Sequence, residues 1–293
     1  MTKHLLRTRR CVFQLDDENR TACIISCRPG RCKRYKLPEQ VIADGVTYRV
    51  VSIEIAGMKW MRTLRHLVIP DSFNYVDEDC MHGLPNLRSV HVGRGVDYLT
   101  SWNFRCCPKL RVLTIDKSNP HLRVQDGLLL SADGTVLLRS LFPIKDLQIP
   151  DGVKYIEKVA FWYDERLESI TFPSSLRQIG DNSFSNLPKL RELVFPEGLE
   201  RLVVQCFMDC VNLEWVDLPS TLKSVDLDNF DGCNRLSTLI LRSTTVVDSK
   251  WGVYDNIPAS CRLFVPSALV EAYRQHPVWS WFTNIQEIES LTR

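Results

Sequence analysis

Apolar positions recur along this chain on a 23-residue beat. Leu64, Leu87 and Leu110 are 23 apart, and after one interruption the spacing resumes at Ile144, Leu167, Leu190, Leu213 and Leu236. Within a unit the hydrophobic pattern changes period. Leu190, Leu193 and Phe195 point one way, while Arg191, Glu192, Val194 and Glu197 point the other. Such alternation predicts a short strand with one buried face. Pro196 ends it, because proline donates no ladder hydrogen bond. Leu199, Leu202 and Phe207 then bring the chain back over the core, and Cys210 fills a small apolar slot before the next strand. One coil cannot bury its own faces, so the pattern predicts a right-handed stack of coils. Eight coils are legible, and Ile53 and Met58 mark a partial one before Leu64. At a spacing of ~4.8 Å per coil the stack would be roughly 40 Å long.

The stretch from Leu167 to Leu187, Leu-x-x-Ile-x-Phe-Pro-x-x-Leu-x-x-Ile-Gly-x-x-x-Phe-x-x-Leu, resembles the BspA-like leucine-rich repeat family. The resemblance spans about residues 40–285. It implies a β-rich leucine-rich repeat solenoid with α+β caps. The segment from Val124 to Leu138 is similar to the hairpin insertion common in that family, and Cys261 to Tyr273 with Trp279, Phe282 and Ile285 is similar to its C-terminal cap. The expected organisation is an N-terminal β cap and partial coil over 1–52, then a solenoid over 53–262 with its insertion near 119–143. A cap with a short helix would follow over 263–293. Members are abundant in Bacteroidetes and are mostly surface or secreted proteins implicated in adhesion and host contact. The resemblance therefore implies a non-catalytic scaffold for protein–protein interaction through the solenoid sheet.

Local signals fill in the ends. Cys11–Leu15, Thr21–Ser26 and Thr47–Val51 read as short strands covering the first coil. Ser267 is placed to N-cap a helix running to about His276, and Pro277 ends it. Asp133-Gly134 is a two-residue turn signal, so the insertion is expected to project as a β-hairpin.

The exposed strand positions supply candidate binding residues. The second position of each coil reads Arg65, Arg88, Arg111, Lys145, Glu168, Arg191, Glu214 and Ser237; the fifth includes His91, Asp217 and Ile240. Like charges on adjacent strands repel, so a basic row suggests an anionic partner. Arg94 and Lys117 are expected beside it, with Trp215 exposed further along and the whole row on a concave face.

Charge is uneven. Residues 1–40 carry ten Lys or Arg against four Asp or Glu, and the remainder carries 27 against 31. Arg28, Arg31, Lys33, Arg34 and Lys36 form a second candidate, a loop patch for nucleic acid or another polyanion. No recognition-helix pattern or array of stacking aromatics accompanies it.

Eleven cysteines read mainly as small buried hydrophobes, because Cys107, Cys210 and Cys233 share one slot and Cys80 and Cys206 another. Reduced thiols are the favoured reading, with the pairing of Cys11, Cys23, Cys27 and Cys32 left open. No catalytic motif, cofactor fingerprint or metal-ligand spacing is present. No apolar stretch is long enough to span a membrane as a helix. The first ten residues lack a signal-peptide core. A cytoplasmic location is expected if Met1 is the native start, and a surface or secreted one if a leader was removed.

Overall fold

The computed structural model describes residues 3–28, 30–54, 58, 61–99, 102–104, 106–161, 164–249 and 257–291. The chain divides into two compact units, residues 1–133 with 138–142, and residues 134–137 with 143–293. Each is built from parallel β coils.

The N-terminal unit opens with β1 (Lys3–Arg7), β2 (Cys11–Asp16) and β3 (Thr21–Cys27), an antiparallel meander. Next come β4 (Arg34–Lys36), β5 (Gln40–Ala43) and β6 (Val46–Ile53). The repeats follow with β7 (His66–Ile69), β8 (Tyr75–Val76), β9 (Ser89–Val92) and β10 (Val112–Ile115). The expected front strands are therefore present as β2, β3 and β6. The main sheet runs β10-β9-β7-β4, all parallel. β4 is the unexpected member: the basic segment read as a loop is the first strand of the repeat sheet. Three residues are too few to show a period, which is why sequence reading missed it.

The insertion forms β11 (Leu122–Gln125) and β12 (Leu128–Ser131), paired antiparallel. They turn at Asp126-Gly127, both in the left-handed region, and the expected turn at Asp133-Gly134 joins β12 to the next strand of the same sheet, Val136–Ser140. This turn geometry matches the right-handed strand twist and favours Asp-Gly. The hairpin does not project as expected. Leu128, Leu129 and Leu130 are buried, because three consecutive leucines carry too much apolar surface to stand in water. Asn119 anchors its root. The amide of Asn119 donates to the carbonyls of Gly93 and Val96, and its oxygen accepts from the backbone of His121 and Leu122.

β13 (Val136–Ser140) follows. The C-terminal unit then carries two ladders. Its main strands are β14 (Asp146–Gln148), β16 (Ser169–Thr171), β18 (Glu192–Val194), β20 (Trp215–Leu218), β21 (Thr238–Leu241), β22 (Arg262–Val265) and β23 (Asn284–Glu287). On the return side β15 (Tyr155–Ile156), β17 (Gln178–Ile179) and β19 (Arg201–Leu202) pair in parallel at the same 23-residue register. After β14, β16, β18, β20 and β22 a proline carbonyl closes a turn, as in Leu176 N–H to Pro173 and Leu222 N–H to Pro219. The region read as a C-terminal cap extends the sheet by β22 and β23. Between them lies α1 (Val270–Gln275), preceded by a 3-10 turn over Ser267–Leu269. Ser267 does not cap the helix, since it sits inside that turn and its Oγ pairs with Glu289.

Between the strands the core is a column of aromatics. Phe161, Phe184, Phe207 and Phe230 stack with centroid separations of 4.7, 5.4 and 6.2 Å. Cys107, Cys210 and Cys233 are buried, each thiol donating to a carbonyl one coil earlier, on Met81, Phe184 and Phe207. The shared-slot reading is accurate. The preference for reduced thiols throughout needs one correction: Cys11 and Cys27 face each other across β2 and β3 and are bridged. Cys23 and Cys32 are free. Burial pushes the thiols of Cys107 and Cys206 above their ordinary values, and a hydrogen bond with Cys210 together with burial does so for Cys233. A neutral, buried thiol is a poor nucleophile. Native protein treated with iodoacetamide should label at exposed Cys106 and leave Cys107, Cys210 and Cys233 intact until unfolding. Mass spectrometry showing any of those three labelled as fast as Cys106 would contradict the slot.

Candidate binding face

Side chains that leave the main sheet outward come from alternate strand positions. In the N-terminal unit one row is Arg34, His66, Ser89 and Val112, and the next is Lys36, Val68, His91 and Thr114. His66 Nδ1 lies 2.8 Å from Ser89 Oγ, and His91 Nδ1 lies 2.9 Å from Thr114 Oγ1. The inward positions, Leu67, Val90 and Leu113, fill the core.

Arg65, Arg88 and Arg111 do not lie in the strands, as the sequence reading had them. Each sits one residue before a strand. They nevertheless stack in register, because the backbone N–H of Arg88 donates to the carbonyl of Arg65 at 2.7 Å and that of Arg111 to Arg88 at 3.0 Å. The same bond links Arg65 to the carbonyl of Lys33 at 2.8 Å. The row therefore reads Lys33, Arg65, Arg88, Arg111, one cation per coil, and all four side chains are exposed. Arg111 is pinned, with Nη1 donating to the carbonyls of Pro108 and Leu110.

Lys33, Arg34 and Lys36 of the candidate patch thus continue the candidate row. Arg31 is exposed just before them, and Arg28 follows β3, its N–H bonded to the carbonyl of Arg10. Lys36 has an ion-pair partner, Glu39. Segments 30–36, 62–69, 85–92 and 108–115 contain no Asp or Glu.

Other predicted members lie elsewhere. Arg94 and Lys117 follow β9 and β10, at the opposite strand end. Arg94 is 3.7 Å from Asp71, and its backbone N–H donates to the same carboxylate. Lys117 adjoins Asp116, whose carboxyl is held below its ordinary value by hydrogen bonds from Ser118, with weaker help from His91 and Arg94. That strand end is neutralised. Among the described residues the strand-start cations Lys33, Arg65, Arg88 and Arg111 make no ion pair.

Lys145 belongs to the C-terminal unit and is no free fourth rung, since its Nζ lies 3.3 Å from Glu168. The same coil position there alternates in sign, and Arg191 pairs with Glu214 at 2.7 Å. Charge pairing between coils is therefore geometrically available at this position, and the N-terminal unit does not use it. Trp215, expected to be exposed, is half-buried on β20 between Glu192 and Thr238. Asp217 and Ile240, also predicted to face water, are buried. Arg242 reaches back over Asp217 with bonds of 2.6 and 2.7 Å, so a covered outer face replaces an open one in these last coils.

Among the described residues no group of three or more His, Cys, Asp or Glu is placed to hold a metal ion. No described helix is long and apolar enough to cross a membrane.

Comparison with known proteins agrees with this architecture. A leucine-rich repeat protein from Bacteroides ovatus is similar over 98% of this chain and 77% of its own, with 18% identity and a TM-score of 0.57. The pneumococcal vaccine antigen PcpA is similar over 97% of each chain, with 14% identity and a TM-score of 0.51. At such identities the likeness concerns the fold. No curated protein matches the chain. Residues 47–124 and 138–251 match the BspA type leucine rich repeat region in six copies, and the chain belongs to that family.

Proposed function

We propose that this protein is a non-catalytic binding scaffold that seats a macromolecular ligand on the outward, strand-start face of its N-terminal repeats. The observation that carries the reading is the row Lys33, Arg65, Arg88 and Arg111, whose side chains make no ion pair among the described residues. Like charges held ~4.8 Å apart on neighbouring strands cost free energy. The fold could relieve that cost with an acid in alternate coils, as the C-terminal unit does at Glu168 and Glu214. Keeping the repulsion makes sense where a ligand supplies the counter-charge. Repeat arrays suit this role because they present extended surfaces. The family is generally one of binding and scaffold proteins, which supports the non-catalytic part.

The test is an array of immobilised proteins and charged polymers probed with the parent and with Arg88→Glu/Arg111→Glu. Both side chains are exposed, so stability should change by no more than about 0.5 kcal/mol. Each lost charge contact should weaken binding by about 1 kcal/mol or more. A control, Thr171→Glu/Val194→Glu on exposed positions of the C-terminal unit, should keep every interaction. Retention of all ligands by the Arg88/Arg111 variant would refute the assignment of the face.

A further inference from the structure

We infer that the ligand of this face is a linear sulfated polysaccharide, an inference that rests on the face proposed above and names its ligand class. The row is straight in register, one cation per coil, and Arg34 and Lys36 add two more charges on β4. A ligand that satisfies it must be anionic and extended across the strands. Guanidinium groups present planar forks that match the oxygens of sulfate, phosphate or carboxylate.

The rest of the face narrows the class. A single-stranded nucleic acid gains most of its non-ionic affinity by stacking bases on aromatic rings. Segments 30–36, 62–69, 85–92 and 108–115 contain one aromatic, Tyr35, and it is turned inward. Its register partner is the buried Leu67, and its hydroxyl lies 3.4 Å from the Cys11 sulfur. An acidic protein would need large apolar or aromatic anchors at the centre of its interface. The outward rows offer Val68 and Val112 as their apolar members, and valine is too small for that role. What they do offer is hydrogen-bonding groups, His66 with Ser89 and His91 with Thr114. Cations flanked by imidazoles and hydroxyls suit a chain of sulfates and sugar hydroxyls. Such polymers are met outside cells, and the Cys11–Cys27 bridge suits an oxidising compartment.

The experiment is isothermal titration of the full chain with a heparin-derived dodecasaccharide. The comparison probes are the fully desulfated sugar, poly-glutamate and single-stranded oligothymidylate. Heparin should bind, and the other three should bind at least tenfold more weakly. Raising salt from 50 to 200 mM should weaken heparin binding on the order of 50-fold if about four cations are neutralised. Arg65→Glu/Arg88→Glu should abolish it, Arg65→Gln/Arg88→Gln should weaken it by roughly tenfold or more, and circular dichroism should show both variants folded. Equal or tighter binding of poly-glutamate or oligothymidylate, lost in the same variants, overturns the polysaccharide and leaves the face intact. Heparin binding that survives both double variants overturns the face as well. No binding of any polyanion overturns the polysaccharide, and the array then decides the face.

Discussion

Phe184→Ala is expected to lower the free energy of unfolding by about 3–5 kcal/mol, as other buried aromatic truncations do. Phe184 is fully buried and sits in the middle of a column. Its ring is stacked 4.7 Å from Phe161 and 5.4 Å from Phe207, and meets Phe172 edge-on at 5.9 Å. Truncation removes three aromatic contacts, each worth ~0.5–1.5 kcal/mol beyond area burial, and leaves a cavity that parallel backbones on both sides cannot collapse to fill. The neighbouring coils should loosen with it, because each repeat is stabilised by its neighbours. A reversible urea titration measures the loss. A value below about 1 kcal/mol would mean that the column has another register or repacks freely.

Arg242→Ala should cost about 3 kcal/mol, for a different reason. The Asp217 side chain is 6% exposed, and both its carboxylate oxygens are bonded to the Arg242 guanidinium. Removing the cation leaves a charge with little access to water, and breaking a buried pair costs about 3–5 kcal/mol. The lower end applies because the Arg242 side chain is itself 43% exposed, so water can enter where it stood. The companion double variant Asp217→Val/Arg242→Ala should recover most of the loss, because no orphaned charge remains. If the double variant is no more stable than Arg242→Ala alone, the pair is not what fixes this end of the sheet.

Much of the fold was legible because one coil repeats the same physics. A leucine or isoleucine two residues before each repeat strand, a proline after most of them and a return phenylalanine in most coils are each forced by burial or by backbone chemistry. Repetition makes their spacing visible. The shared slot of Cys107, Cys210 and Cys233 was legible for the same reason. Features that occur once were not. β4 has three residues and stands outside the 23-residue beat, so Arg34–Lys36 reads as a basic loop. The bridge between Cys11 and Cys27 depends on strand pairing, which a list of cysteines does not reveal. The turn at Asp133-Gly134 was legible, but the further turn at Asp126-Gly127 and the burial of Leu128–Leu130, which keeps the insertion from projecting, were not.

The candidate site was half legible. The recurrence of Arg65, Arg88 and Arg111 is plain in the sequence, and the structure stacks them. Lys33 as a further rung follows from the pairing of β4 with β7 and has no sequence signal. The pairing of Lys145 with Glu168 was open to prediction, since both occupy the same coil position. The covering of Asp217 by Arg242 needed the path of the chain beyond β21.

The central claim is that the N-terminal basic segment and the repeat arginines form one ligand-binding surface. The most direct measurement compares two charge-reversal pairs from distant parts of the sequence, Lys33→Glu/Arg34→Glu and Arg88→Glu/Arg111→Glu, on one ligand array. The account predicts that both pairs lose the same ligands. It also predicts that combining them gives a loss different from the sum, since residues serving one ligand couple. Loss of different ligands by the two pairs, or loss by one pair alone, would contradict a single surface.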